Sequence, residues 1–299
     1  MNTSIKTTPQ ERKLGFRVLF LGMFAIGTGQ TLFIAVLPPY ARGLGLSEVQ
    51  VGFIFSLSAL GWMLMSPFWG KKSDYLGRKS IIILGLIIYS ITTILMGVEF
   101  RLNELGIINL PTLFGLLILT RGCYGFLGSG AHSASMAYVA DRTTEQERSG
   151  VMAVMGSAFA ISGIVGPGLA SAAVLLGPLV PYFLFGGITG FIALLIFIYL
   201  PEKTKPIRPA KVHEARLTPF DSRVISFALM GLCISQTSAV VMQILSLYLQ
   251  DKFNYSNTEA SVYTGTMLIF TGIATLIAVS YTHLRAHETE ADLVCRLLL

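Results

Sequence analysis

Apolar stretches of about 20 residues or more, most of them without a charge, recur along this chain, separated by short polar connections. They cover roughly 18–40, 49–69, 80–98, 112–140, 149–174, 179–200, 224–250 and 258–278. At ~1.5 Å rise per residue, each is long enough as an α-helix to cross a ~30 Å hydrocarbon core. Ser149 to Leu200 is uncharged throughout and too long for one crossing. Gly177-Pro178 and Pro181 supply the break, because proline lacks an N–H and disfavours helix in the residue before it. The pattern predicts an all-α polytopic membrane protein whose fifth and sixth spans form a tight hairpin.

Composition supports the pattern. The chain is 53% hydrophobic and 13% charged, against roughly 25% charged residues in an average soluble domain. A formal charge of +6 could signal nucleic acid, but the cations sit in the short connections rather than on one face of a domain. No nucleic-acid partner is expected. The cations instead orient the chain: Lys6, Arg12, Lys13 and Arg17 precede the first span, Lys71, Lys72, Arg78 and Lys79 follow the second, and Arg142 and Arg148 follow the fourth. Lys203, Lys205, Arg208, Lys211, Arg216 and Arg223 follow the sixth, whereas the opposite side has only Arg42, Arg101 and Lys252. The positive-inside rule therefore places the N-terminus in the cytoplasm of a multi-pass inner-membrane protein. The first apolar run is a full span, so no cleavable signal peptide is expected. Cys123, Cys233 and Cys295 have no metal or disulfide spacing.

The chain divides after the sixth span. Residues 1–200 read as a six-helix bundle, 201–222 as a polar, proline-bearing cytoplasmic linker, and 223–278 as two helices of a second bundle. Gly22 through Tyr40 to Ser47 has a loose echo in Gly231 through Tyr248 to Ser256, as parallel repeats in a transporter would have. Residues 279–299 abandon apolar helix for a charged text that resembles the translation of a transposase-type sequencing adapter. On that reading native sequence stops near Ala278 and further spans are expected beyond it.

Four features carry chemistry. Gly70-Lys-Lys-Ser-Asp74-Tyr-Leu-Gly77-Arg78-Lys79 packs glycines, an acid and cations into a turn between two spans, where Asp74 can accept from a helix N-terminus or a neighbouring arginine. Arg121 is the one charge that the span assignment places deep inside a helix, and an intramembrane charge is a functional candidate because insertion costs at least ~2.5–3.5 kcal/mol. His132 lies eleven residues further along, about three turns, on roughly the same face; a neutral packing histidine is the favoured reading and a protonatable or substrate-binding one the alternative. Ser162-Gly-Ile-Val-Gly166-Pro167-Gly168-Leu-Ala170-Ser171 places small residues four apart around a proline, as close helix packing requires. Thr28, Gln30, Tyr124, Gln236 and Gln243 are candidate cavity residues, since side-chain amides in hydrocarbon must face protein or a watered path. Phe33, Phe55, Trp62 and Met63 would suit a lipophilic substrate or lipid.

Three of these stretches resemble the major facilitator superfamily. Gly70, Asp74, Gly77, Arg78 and Lys79 match its signature loop, with Lys72, Ser73 and Tyr75 departing from the usual residues. The segment from Leu116 to Gly128 resembles its fourth-helix motif, with Tyr124 in place of a common glutamine, and the resemblance implies that Arg121 lies near a central cavity and takes part in proton coupling. Ser162, Gly166, Pro167 and Ala170 resemble the antiporter motif of the drug:proton branch, with Ser162, Ala170 and Ser171 in place of glycines. The resemblance implies twelve spans in two bundles, eight of them present here, and a signature loop that latches the bundle ends. The expected function is proton-coupled efflux of small drug-like or amphiphilic compounds by alternating access. A metabolite or sugar symporter of the same fold is the alternative, and a membrane-embedded lipid-modifying enzyme is the alternative from another class. No phosphate-cradling Gly-Lys-Ser/Thr loop is present, and no cofactor or metal is expected. Expected partners are a small-molecule substrate, protons and the lipid bilayer, with a monomer expected for the full-length protein.

Overall fold

The computed structural model describes residues 8–202 and 225–297. Among these, eight helices are long and apolar enough to cross a membrane: α1 (Gln10–Gly43), α2 (Glu48–Leu76), α3 (Arg78–Glu104), α4 (Leu110–Ala140), α5 (Glu145–Val174), α6 (Val180–Tyr199), α7 (Leu229–Phe253) and α8 (Asn257–Ala278). The helix that begins as α8 continues to Leu297. Most of the 201–222 linker lies outside the described residues.

Local sequence fixes where several helices begin. Thr8 precedes α1, Ser47 α2 and Ser256 α8, and each accepts a hydrogen bond from the backbone N–H three residues on. Glu11, Gln50 and Glu259 return the favour to the capping residue's own N–H, at 3.0, 2.9 and 2.9 Å. Each such box satisfies donors that a helix start would otherwise leave unpaired. Interruptions also have local causes: α1 is broken at Val36, just ahead of Pro38-Pro39, and α4 widens into a π-turn over Tyr124–Gly128.

Two predicted boundaries are corrected. Gly70–Lys79 is not a loop, because α2 continues as helix to Leu76 and α3 starts at Arg78, leaving Gly77 as the only break. The charges there mark where the helix leaves apolar surroundings, and charge alone does not end a helix. Gly77 has φ +94°, a conformation that favours glycine, whereas the Glu202 carboxylate beside it is the movable end of a side chain. The third span likewise does not stop at Val98. It runs through Glu99, Arg101 and Glu104, so Arg121 is not the only charge inside a helix.

Apolar packing forms two clusters along the helix axes. One joins α1, α3, α4, α5 and α6 toward the Gly77 end, through Leu19, Met23, Leu86, Tyr138 and Ile196. The other fills the opposite end, through Leu32, Leu37, Ile54, Phe100, Leu117 and Tyr182. Helix α5 packs closely on both α1 and α8. Glycine makes the closest approaches possible. A Cβ on Gly125, in the π-turn, would sit against the backbone of Ser58 in α2, and one on Gly61 would meet the Gly125 and Phe126 backbone. The π-turn itself is supported from α2, where Trp69 Nε1 donates to the Phe126 carbonyl at 2.8 Å.

Gly125→Ala is expected to destabilise the protein by about 1–3 kcal/mol, because the colliding partner is backbone and must move. Gly115→Ala, where an added Cβ meets nothing within 4 Å, is expected to stay within about 0.5 kcal/mol of the parent. Thermal unfolding of both variants in detergent checks the pair.

Candidate functional site

A cavity of about 440 Å³ lies between α1, α2, α4 and α7. Helix α1 contributes Gln30, α4 contributes Arg121, and α7 faces them with Gln236 and Gln243. The wall from α2 is apolar and aromatic, with Phe55, Trp62 and Met63, relieved by Ser58. Its volume falls within the ~300–1,000 Å³ of small-molecule sites, and its apolar lining with a few convergent polar groups is typical of them.

Arg121 is the electrostatic centre of this wall. It is only 4% exposed, and among the described residues no carboxylate lies within ion-pair distance of it. Its Nη2 donates to Gln30 Oε1 at 2.9 Å, and Gln30 Nε2 in turn donates to the Tyr124 hydroxyl. The guanidinium lies over the Phe33 ring at 3.9 Å and 5.0 Å from the Tyr124 centroid. Desolvated cation–π contacts of this kind contribute about 2 kcal/mol each at most sites of this burial. Tyr124 is held between Trp62 at 5.7 Å and Tyr89 at 5.1 Å. Arg121 Nε has no hydrogen-bond partner.

Not every expected cavity residue lines the cavity. Thr28 is buried where Gly166 packs against α1, and Tyr124 is buried behind Gln30 and Trp62. Phe33 is the platform beneath Arg121 rather than a wall. His132 is separated from the Arg121 site. Its ring meets Phe159 of α5 edge-on at 4.8 Å, and its Nδ1 is buried without a partner. The eleven-residue spacing assumed uniform α-helix, and the π-turn at Tyr124–Gly128 changes the phase between the two residues.

At the Gly77 end, Arg78 gathers the signature residues. It pairs with Asp74 one turn back, reaches Asp141 after α4 through Nε at 3.0 Å, and donates to Gly70 O at 3.2 Å and Ser73 Oγ at 2.6 Å. Lys79 lies 5.5 Å over the Phe197 ring of α6. A second pair at this end, Arg12 to Glu147 at 3.1 Å, ties α1 to α5. At the opposite end, Arg42 pairs with Asp251 at 2.6 Å and with Glu48 at 3.5 Å, linking α1 to α7 and α2.

The small-residue motif of α5 faces two neighbours. Ser162 bonds back to the Ala158 carbonyl at 2.8 Å and fills the space opposite Gly27 of α1. Gly166 meets Thr28 and Thr31 of α1, and Ala170 is fully buried. Ser171 Oγ donates to the Ser261 carbonyl of α8 at 2.6 Å, where Gly265 leaves room for Pro167 and Ser171.

Sequence reading missed Glu99. It is 6% exposed, its Oε1 accepts from the Thr120 hydroxyl, and its Oε2 is buried without a partner. Thr120 precedes Arg121, so this bond ties α3 to the turn that presents the guanidinium. The available signal was a charge only one residue past the assigned span end, too close to an apolar run to be assumed outside.

Residues 19–287 match the Major Facilitator Superfamily. Quinolone resistance protein NorA of Staphylococcus aureus (strain MSSA476) is 28% identical over 248 residues, which are 82% of this chain and 61% of that protein. Multidrug resistance protein 2 of Bacillus subtilis (strain 168) is 29% identical over 203 residues, 68% of this chain and 48% of that protein. The chain thus spans less than two thirds of the length of these relatives. A solved bacterial homolog of the human lysosomal transporter Spinster, in an inward-facing and occupied conformation, superposes with TM-score 0.72 at 16% identity, covering 91% of this chain and 61% of that one.

Glu99→Gln keeps an acceptor for Thr120 and is expected to hold stability within about 1 kcal/mol. Glu99→Ala orphans the Thr120 hydroxyl and empties buried volume, with an expected loss of about 2–4 kcal/mol. Equal melting temperatures for the two variants would refute a structural role for this bond.

Proposed function

This chain belongs to the Major Facilitator Superfamily, and we propose that it forms the substrate-binding half and more of a secondary transporter that exports small drug-like compounds in exchange for protons. The observation that carries the proposal is the cavity between α1, α2, α4 and α7, with one buried guanidinium set among amides and aromatic rings. The relatives named for quinolone and multidrug resistance support drug-like cargo.

Alternating access requires the second helix group to rock against the first around a fixed site. The α5 contacts suit that motion. Between the two groups, Gly265 of α8 lies close against Pro167 and Ser171 of α5, a small-residue contact of the kind that carries helix association in lipid. Arg42–Asp251 at one end is a water-facing pair between α1 and α7 that can break and re-form at a cost of about 1 kcal/mol or less. The Arg78–Asp74–Asp141 cluster lies at the other end. In the proposed orientation the N-terminus and this cluster face the cytoplasm, with the chain in the inner membrane, as the distribution of Lys and Arg favours. Residues 9–199 act as the first bundle, and α7 with α8 open the second. Arg121 couples proton exchange to transport.

Cells that lack their own exporters and express the longer protein, read from its locus past residue 278, are expected to accumulate less of a fluorescent quinolone, with a protonophore restoring accumulation. Asp74→Asn and Arg121→Ala are each expected to lower efflux about tenfold or more at an unchanged membrane level, the scale of one lost charge-assisted interaction. Unchanged efflux in both variants, or protonophore-sensitive uptake of a labelled sugar or amino acid in place of export, overturns the proposal.

A further inference from the structure

We propose that the cavity selects aromatic carboxylates, with the carboxylate docking on Arg121 and the ring system lying against the α2 wall of Phe55, Trp62 and Met63. The inference rests on the cavity being the transporter's substrate site, and it deepens that reading by assigning the charge of the cargo.

Among the described residues, the charge lining the cavity is one-sided. Among the described residues that line the cavity, Arg121 is the only charged side chain, and no carboxylate stands with it. Glu48 and Asp251, which line the adjoining cavity together with Phe55 and Gln243, are both paired with Arg42. A cationic ligand entering beside Arg121 would meet a fixed like charge in surroundings that screen it poorly, whereas an anion would neutralise that charge.

The guanidinium is built to receive a ligand rather than to close a structural pair. Among the described residues its hydrogen bonding consists of the single Nη2 bond to Gln30, and Nε is buried and unpartnered. With Nη2 bonded to Gln30 and Nε buried, a ligand carboxylate would be received at the Nη end of the planar guanidinium through a charge-assisted hydrogen bond. Its position is already paid for by other contacts: Phe33 supports one face, Tyr124 lies beside it, and Gln30 fixes its rotation. A ligand carboxylate therefore meets a preorganised cation. The rest of the site favours a flat apolar body. Trp62 presents an aromatic face beside Phe55 and Met63, while Gln236 and Gln243 across the cavity can bond a polar substituent at the far edge of a ring.

The test compares isosteres on the unmodified chain, purified in a neutral detergent, by equilibrium dialysis. The probes are 2-naphthoate, 2-naphthamide, 2-naphthylmethylammonium and acetate. The expected result is that 2-naphthoate binds about tenfold or more tightly than the amide and the ammonium probe, with acetate weaker than 2-naphthoate by at least as much. Arg121→Gln is expected to abolish the difference between the carboxylate and the amide. Because the isostere series needs no variant, a misfolded Arg121→Gln leaves the test intact. Equal or tighter binding of the ammonium probe overturns the charge assignment, and acetate binding as tightly as 2-naphthoate overturns the aromatic part. Anionic phosphatidylglycerol displacing 2-naphthoate at equimolar concentration overturns the proposal in favour of a lipid headgroup site. None of these readouts involves transport, so a carboxylate preference without quinolone efflux would sink the exporter reading and leave the ligand class standing.

Discussion

The burial of Arg121 is the constraint around which the middle of this molecule is arranged. A guanidinium taken out of water must recover its lost hydration from protein groups, and a carboxylate partner is not what this fold supplies. It supplies faces and dipoles: Phe33 beneath the cation, Tyr124 beside it, and the Gln30 amide on one nitrogen. Each of these groups then acquires its own requirement. Tyr124 needs aromatic neighbours and finds Trp62 and Tyr89, and Gln30 must offer oxygen to Arg121 and nitrogen to Tyr124, which fixes the orientation of its amide. The residues around Arg121, several of them part of the apolar cluster away from the Gly77 end, thus form a chain of dependencies with the guanidinium at its head.

Such an arrangement requires α2 and α4 to lie close together, and the π-turn is where that closeness is made. Gly125 sits against the Ser58 backbone and Gly61 against the turn itself, so two glycines bring the helices nearly to backbone contact. The same approach brings Trp62 over Tyr124 and places Ser58 on the cavity wall. A π-turn leaves its carbonyls poorly matched to the helical ladder, and Trp69 bonds one of them. Irregular backbone in a membrane is tolerated where protein satisfies it, and here the satisfied irregularity adjoins the buried charge.

The eight spans were legible because hydrocarbon thickness sets a length that apolar runs must reach, and proline at 178 and 181 divided the one ambiguous run correctly. Ser47 and Ser256, which close the two echoing segments, make equivalent capping boxes that the apolar pattern did not announce. What hydropathy could not supply was where helices end once they leave apolar surroundings. A run of charge ends the hydrophobic signal but not the backbone hydrogen bonding, so α2 passes through Lys71, Lys72 and Asp74, and α3 passes through Glu99. Phase was the second loss. Arg121, Gln30, Gln236 and Gln243 stood out by polarity, but His132 was placed by counting residues along a uniform helix, and a single wide turn was enough to defeat the count.

The two arginines that dominate the charge pattern are physically unlike, and the difference separates their roles. Arg78 faces Asp74 and Asp141 near water, where salt screens the pairs within about 8–10 Å and each is worth at most about 1 kcal/mol. Contacts that weak can be exchanged without unfolding anything, which is what a latch between conformations needs. Arg121 is only 4% exposed and is screened far less, so a change in the charge opposite it shifts free energy by several times that amount. A group so placed responds to what enters the cavity, and Thr120 with Glu99 connects that response to α3 through a hydrogen bond. The screened arginine suits a reversible closure, and the unscreened one suits recognition.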